Sequence, residues 1–456
     1  MPRPSAWSLV LPSLLVLSLA YFAQSYISPL GPAPHLGTGV ALYGAALSSL
    51  IGHAQAAIMA PFHTKAQSGS EIQMPLAQPH LTSERPDAET ATETHEDIFD
   101  GDVDADADPR PRFKRRIIAV GDIHGDLENA HRVLQMAEVV DEAGYWTGKV
   151  DVFVQTGDII DRGDDTIELF QWMEELREQA HGVGGTIISL LGNHEWMNAI
   201  GDWRYVYPSE IETFGSISER QKVVTTGWLA NTWAGNYTTA ARLPLHSLLG
   251  PPNTDYPPPE DGKNAHANAG PLSHAAFSFV HGGLAPSYSN LQPFPSAINN
   301  ISASLLHKLR SRDPQPPPHP PHAYPGLPAG TTREEARMYG SDGPLWYRGW
   351  AEGDEARMCA QVDQVLQKTG TRRMVMGHTP NMRNIVARCG GKVLIIDTGI
   401  SRAYGGVLSA LSIDYSLEPV KGGGWKEQEV VKALYAEQDD ELLVHATRSL
   451  AVDALV

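Results

Sequence analysis

Ile117-Ile118-Ala119-Val120-Gly121-Asp122-Ile123-His124-Gly125-Asp126 joins a short apolar run to a polar turn. The run is rich in β-branched residues and bounded by glycine, the pattern of a buried parallel strand. In an α/β sheet, loops at the carboxyl ends of strands form the ligand crevice. Asp122 and His124, two apart at such an end, can point at one cation, and the flanking glycines let the backbone turn tightly.

The same pattern recurs downstream. A strand over 150–155 leads into Gly157-Asp158-Ile159-Ile160-Asp161-Arg162-Gly163, with a helix over 166–179 behind it. A strand over 185–191 leads into Gly192-Asn193-His194-Glu195. Strands over 276–280, 373–376 and 393–396 deliver His281-Gly282-Gly283, Gly377-His378-Thr379-Pro380 and Asp397-Thr398-Gly399. A lone histidine at a strand end is commonly a satisfied loop residue. Two of them, each beside glycine and following three carboxylate or amide motifs, reverse that judgement. Chemically the collection suits two cations about 3.5–4 Å apart, bridged by a carboxylate and a hydroxide. Mixed imidazole and carboxylate ligands favour Mn, Fe or Zn over Ca, with Mn expected to serve in vitro.

The 456 residues carry a formal charge of −18, most of it concentrated in one stretch. Between Gln67 and Pro109 twelve carboxylates face a single base, Arg85, which predicts a solvated, disordered linker. No basic surface emerges, so nucleic acid is excluded as a partner. Between Pro4 and Thr64 there is no charged side chain, and an apolar run follows Arg3. Residues 1–30 therefore read as a signal peptide or signal-anchor transmembrane segment. That implies the secretory pathway and a membrane-anchored protein with a lumenal or extracellular globular domain; an organelle or the cytoplasm is the alternative. Sequons at Asn236 and Asn300 are compatible with a lumen. Residues 31–112 are expected to be mostly disordered linker, first apolar and then acidic, ending in a solvated basic flank of Arg110, Arg112, Lys114, Arg115 and Arg116. The globular domain is expected over 113–445, with loop insertions near 250–270 and 314–330, antiparallel strands at 405–414 and 430–436, and a tail at 446–456. Cys359 and Cys389 exclude a disulfide-dense scaffold. Between a single bridge and two buried free thiols, the thiols are favoured.

In their order and spacing, GDIHG, GDIIDRG, GNHE, HGG and GHT resemble the phosphoprotein phosphatase family within the calcineurin-like metallophosphoesterases, over residues 116–415. The stretch Trp196-Met197-Asn198-Ala199-Ile200-Gly201-Asp202-Trp203-Arg204-Tyr205, with Gly343-Pro344-Leu345-Trp346-Tyr347-Arg348-Gly349, is similar to the Shewanella-like branch. The resemblance implies an α/β (α+β) fold: a β-sandwich of two mixed sheets flanked by helices, with metals at the carboxyl ends of strands. It implies two divalent ions, one held by Asp122, His124 and Asp158 and the other by Asp158, Asn193, His281 and His378, with Asp158 bridging. A phosphate monoester on a protein would be hydrolysed by direct attack of a metal-bridging hydroxide. His194 would protonate the leaving alkoxide and Asp161 would orient it, while Arg162, Arg348 and Asn193 would bind the phosphate. The SAPNY signature of the familiar eukaryotic serine/threonine enzymes is missing; Asp397-Thr398-Gly399-Ile400-Ser401 stands in the comparable region. Serine/threonine versus tyrosine preference therefore stays open, and regulatory subunits are unknown. A dinucleoside polyphosphate hydrolase of the diadenosine-tetraphosphatase type shares the metal motifs and is the alternative. A non-catalytic, membrane-tethered binding protein is the remote one, since every implied ligand is present.

Overall fold

The computed structural model describes residues 110–258, 270–313 and 316–451. The apolar segment at 1–30, nearly all of the 31–112 linker, the middle of the 250–270 insertion and the last residues of the expected tail lie outside the described residues. Among the described residues, no helix is long and apolar enough to cross a membrane.

Along the chain the elements are β1 (Phe113–Val120), α1 (Leu127–Met136), β2 (Val152–Gln155), α2 (Thr166–Gly182), β3 (Thr186–Leu190) and α3 (Asn193–Ile200). Next come α4 (Pro208–Thr213), α5 (Ile217–Thr225), α6 (Trp228–Asn236), β4 (Tyr237–Thr238), β5 (Ala240–Pro244) and β6 (Ala276–Val280). They are followed by α7 (Ser296–Ser311), α8 (Arg333–Tyr339), α9 (Gly349–Glu352), α10 (Glu355–Thr369) and β7 (Arg373–Met376). The chain closes with β8 (Val386–Arg388), β9 (Val393–Ile395), β10 (Ser409–Pro419), β11 (Trp425–Tyr435) and β12 (Glu441–Leu450).

Two mixed sheets result: a seven-stranded one ordered β12-β11-β10-β1-β2-β3-β4 and a five-stranded one ordered β5-β6-β7-β9-β8. The strands that precede the motifs run parallel, and their registers are level. Val120 lies opposite Gln155, which lies opposite Ser189; Val280 lies opposite Met376, which lies opposite Ile395. All the motif loops therefore leave one edge of the sandwich together.

Both faces of the motif strands are covered, which is why they read as continuous apolar runs rather than alternating ones. Ile117 and Ala119 pack between the sheets against Phe277, Phe279, Val375 and Leu394. Ile118 and Val120 point the other way, into a layer with α1 and α2 side chains such as Val133, Leu134, Leu169 and Phe170. The second sheet buries Val280, Met374 and Met376 against Ile298 of α7 and Val362 and Val365 of α10. Helix starts are marked by side chains that accept from backbone amides: Asp126 for α1, Ser216 for α5, Thr332 for α8 and Asp354 for α10.

Several sequence expectations need correction. The basic run is not a solvated flank, because β1 begins at Phe113 and pairs antiparallel with β10 from Phe113 opposite Leu417. Arg115 donates to the Pro244 carbonyl at 2.8 Å and Arg116 pairs with Glu138 at 2.6 Å. The segment 446–456 is not a tail from its first residue, since β12 continues to Leu450. From Val444 onward this edge strand alternates half-buried and exposed residues, and its one apolar run, Leu442-Leu443-Val444, is too short to mark the whole strand in sequence. The antiparallel strands also run longer than 405–414 and 430–436, and β10 starts later. Finally, Cys359 and Cys389 are bridged rather than free, tying α10 to the turn after β8.

That bridge closes a loop of 30 residues, for which chain entropy predicts about 3–4 kcal/mol of stabilisation. Replacing both cysteines by serine is expected to lower the urea midpoint accordingly while the folded secondary structure, followed by circular dichroism, persists.

Candidate metal centre

Asp158 sits at the middle of the shared edge. Its Oδ1 accepts from the His194 amide at the start of α3 at 2.9 Å, where a helix N-terminus favours an anion. Its Oδ2 is left facing three imidazole nitrogens: Nε2 of His281 at 3.2 Å, of His124 at 3.8 Å and of His194 at 3.8 Å. Two groups of potential ligand atoms, each within 4.8 Å of one another, share this carboxylate: His124, Asp158 and His194, and Asp158, His281 and His378.

Backbone carbonyls set the histidine tautomers. His124 Nδ1 lies 3.0 Å from the Ile160 carbonyl and His281 Nδ1 lies 2.9 Å from that of Thr156. A proton on Nδ1 in each ring leaves Nε2 as an acceptor aimed inward. There His281 Nε2 meets Asn193 Oδ1 at 2.9 Å, while the Asn193 amide nitrogen turns away to Met197 Sδ. His378 Nε2 is buried with no hydrogen-bond partner. Asp122 completes the ring, accepting from the His378 amide at 3.1 and 3.2 Å. So many acceptors converge without donors between them that a cation is the natural occupant, and the mixed oxygen and imidazole set fits a divalent first-row ion.

Electrostatics agree with that reading. Burial pushes the Asp122 carboxyl well above its usual range, and the neighbouring Asp397 and Asp158 carboxylates add to the effect. Burial also raises Asp397, to about 6. Burial would raise Asp158 too, but His281, His194 and His124 outweigh it and hold the carboxyl well below its usual range. His124 falls to about 3 and His378 falls well below the usual imidazole value, in both cases chiefly through burial. Neutral His124 and His378 beside an ionised Asp158 match what metal ligation requires, whereas Asp122 would have to give up its proton to an incoming cation.

His194 differs from the others. Its Nδ1 lies 2.6 Å from Asp161 Oδ2, a carboxylate rather than a carbonyl. Burial would lower this imidazole, but Asp158 and Asp161 together hold it above its usual value. Asp161 Oδ1 accepts from Asn198 Nδ2 at 2.9 Å, and Arg220 donates to Asn198 Oδ1 at 2.7 Å and to Glu210 Oε1 at 2.8 Å. This fully buried chain has no counterpart in the sequence expectations: Arg220 lies in an ordinary amphipathic helix whose pattern carries no sign of it.

Glu195 is a second residue whose part was missed, although it was visible inside GNHE. Its carboxylate accepts from the amides of Asp158 at 2.9 Å, Ile159 at 2.8 Å and Gly192 at 2.7 Å. It therefore ties the loop carrying Asp158 to the start of α3. Burial, then repulsion from Asp158, raises it to about 7. Two glycines are required by the same crowding. A Cβ at Gly192 would stand 2.1 Å from Asp158 Oδ1, and one at Gly377 would stand 2.3 Å from Asp122 Oδ1.

Of the expected phosphate-binding arginines, Arg162 lies between Tyr205 and Tyr404, its guanidinium 4.3 and 4.9 Å from the two ring centres. Its Nε is buried and has no partner. Arg348 uses Nη1 to hold the His378 carbonyl at 2.7 Å and Thr379 Oγ1 at 3.1 Å, so it braces the loop that carries His378. Aromatic rings wall the approach: Tyr205 lies 5.0 Å from His194, Tyr404 5.4 Å from His124 and Trp346 5.6 Å from His378.

Comparison with known proteins agrees with this arrangement. Residues 115–382 match the calcineurin-like phosphoesterase family. An uncharacterized protein of Schizosaccharomyces pombe is 34% identical over 317 residues, covering 69% of this chain and 81% of its own. Shewanella-like protein phosphatase 2 of Arabidopsis thaliana is 27% identical over 323 residues, 64% of this chain and 73% of that one. Among solved structures, the cold-active protein-tyrosine phosphatase of a psychrophilic Shewanella species superposes with a TM-score of 0.50 at 20% identity, covering 72% of this chain and 80% of its own. At that identity the likeness concerns the fold alone.

If Asp158 serves both ions, Asp158→Asn is expected to abolish retention of divalent metal after dialysis, read by elemental analysis. Glu195→Gln, which touches no ion, is expected to weaken metal affinity by about 10- to 100-fold. Unchanged metal binding in both variants would rule the assignment out.

Proposed function

Starting from the fact that the chain belongs to the calcineurin-like phosphoesterase family, we propose that it is a metal-dependent phosphoprotein phosphatase acting on phosphate monoesters. The observation that carries the reading is the pair of His/Asp clusters sharing Asp158, with His194 hydrogen-bonded to Asp161 beside them. Relatives among the Shewanella-like protein phosphatases support a phosphorylated protein as substrate.

Asp122, His124 and Asp158 would hold one divalent ion, and Asp158, Asn193, His281 and His378 the other; Mn, Fe and Zn all suit this set. Two such ions supply Lewis acidity to the phosphoryl oxygens and an acidified water. The chain's own residues do the rest. Arg162, stacked between two tyrosines, presents its fork to the phosphate, for which planar bidentate geometry suits it better than lysine. Arg348, anchored through Nη1 to the His378 carbonyl and Thr379 Oγ1, would contribute its remaining N–H groups to the same anion. Asn193 contributes at the edge of the phosphate.

His194 is the general acid. A carbonyl on Nδ1, as in His124 and His281, fixes the tautomer, whereas a carboxylate on that nitrogen adds a full negative charge that stabilises the imidazolium. Asp161 therefore keeps a proton available on Nε2 for the departing alkoxide. As for location, the Cys359–Cys389 bridge favours an oxidising compartment, in line with the apolar N-terminal run. Glycosylation of Asn236 or Asn300 in cells tests lumenal placement.

The acid assignment makes a graded prediction. His194→Asn is expected to lower kcat by about 10²- to 10⁴-fold on phosphoserine peptides, whose alkoxide must be protonated. On p-nitrophenyl phosphate, whose leaving group needs no proton, the loss should be far smaller, with metal content unchanged. Equal losses on both substrates would refute the role. The proposed function as a whole is tested by turnover of phosphoserine, phosphothreonine and phosphotyrosine peptides alongside dinucleoside polyphosphates.

A further inference from the structure

The proline-rich insertion is not a free loop. His319 pairs with Asp202 immediately after α3, the Trp203 amide donating to the His319 carbonyl at 2.6 Å and the His319 amide to that of Gly201 at 2.9 Å. Gln221 Nε2 of α5 donates to the Pro316 carbonyl at 2.7 Å. These bonds lay the insertion along the segment that follows GNHE and leave two cavities beneath it.

The inner cavity, about 380 Å³, is lined by Tyr205 and Trp346, the rings that flank His194 and His378, and by Tyr324 of the insertion. The outer one, about 650 Å³, is walled by Val206, Ile211 and Ile217 on one side and by Pro318, Pro320 and Pro321 on the other. Arg204, paired with Asp202 at 2.6 Å, lines both. The shared Arg204 makes the two cavities neighbours, an aromatic one beside His194 and His378 and an apolar one beyond it. Ile217 is 52% exposed and Tyr324 45% exposed, so the groove offers apolar surface to solvent where a monomer gains nothing from it.

We infer that the proline-rich insertion builds a docking groove for the substrate polypeptide, and that the outer cavity takes an apolar side chain a few residues from the phosphorylated one. The inference rests on the phosphatase reading and adds to it a sequence preference. The occupant follows from continuity: a chain whose phosphate lies at Arg162 must leave past Tyr205 and Trp346, and an extended strand covers about 3.3 Å per residue. The Arg204–Asp202 pair at the junction is charge-neutral, so selection there rests on apolar contact. Prolines keep that wall rigid and lower the ordering cost of binding.

The test uses the full chain, loaded with Mn, and peptides of glycine and serine around one phosphoserine or phosphotyrosine. Leucine is placed at each position within about six residues of the phosphate, the span an extended chain can reach. Leucine at one position is expected to raise kcat/KM about tenfold or more, as burial of such a side chain allows. In Ile217→Asp and in Ile217→Trp, changes at an exposed helix start that the fold tolerates, that gain should vanish. Turnover of p-nitrophenyl phosphate, too small to reach the groove, reports the metal centre separately. A gain at no position, or one that survives in both variants, overturns the groove while leaving the phosphatase reading intact. Failure of the unmodified protein on every substrate, p-nitrophenyl phosphate included, overturns both.

Discussion

The position of one carboxylate, that of Asp158, governs the whole carboxyl edge. One of its oxygens is held by the His194 amide, and the other is offered to imidazoles from β1, α3 and β6 loops. For this to happen the loop after β2 must be pinned to the start of α3, which Glu195 does by accepting several amides at once. No side chain can intervene, and Gly192 supplies the clearance. Shifting this carboxylate would remove the common member of both ligand groups.

The backbone around it is held in conformations that it would not choose. His124, Asp158, Asp161, Arg162 and His378 all have φ between 48° and 72°, the left-handed region. Each such non-glycine residue costs of order 1–3 kcal/mol, which the surrounding hydrogen bonds must offset. The Ile123 and His124 amides donate to the Asp158 carbonyl, and the Arg162 amide to that of Tyr205. Sharp turns at strand ends expose functional side chains toward one point, and the level registers of the parallel strands bring the turns side by side.

Behind the ligands, tautomers and charge states are set by partners of two kinds. Carbonyls on Nδ1 fix the tautomers of His124 and His281, burial lowers His124, and the carboxylates beside His194 raise that ring's affinity for a proton. The Asp161 carboxylate is itself fixed by Asn198, which Arg220 holds from the interior while Glu210 accepts from that arginine. A buried arginine–glutamate pair is weak evidence for stability. Here its visible effect is to orient the carboxylate that meets His194.

The candidate ligands were legible in the sequence because the pattern that places them is local. Asp122, His124, Asp158, Asn193, His281 and His378 each follow an apolar strand and adjoin a glycine or a tight turn, so spacing alone places them at strand ends. Glu195, Arg220 and the Tyr205–Tyr404 clamp on Arg162 were not legible in this way. Their roles rest on contacts between segments from 10 to more than 200 residues apart, and only Glu195, three residues after Gly192 at a helix start, carries a local mark. The same holds for β12, an edge strand held by pairing with β11 and by Arg448 against Glu427. Sequence by itself determined which residues could bind cations and in what order along the sheet, because strand period and turn chemistry are short-range. Only the tertiary structure decided which histidine would carry a proton, that the two cysteines meet and that the proline-rich insertion lines the cleft. Each of these depends on burial and on partners that only folding brings together.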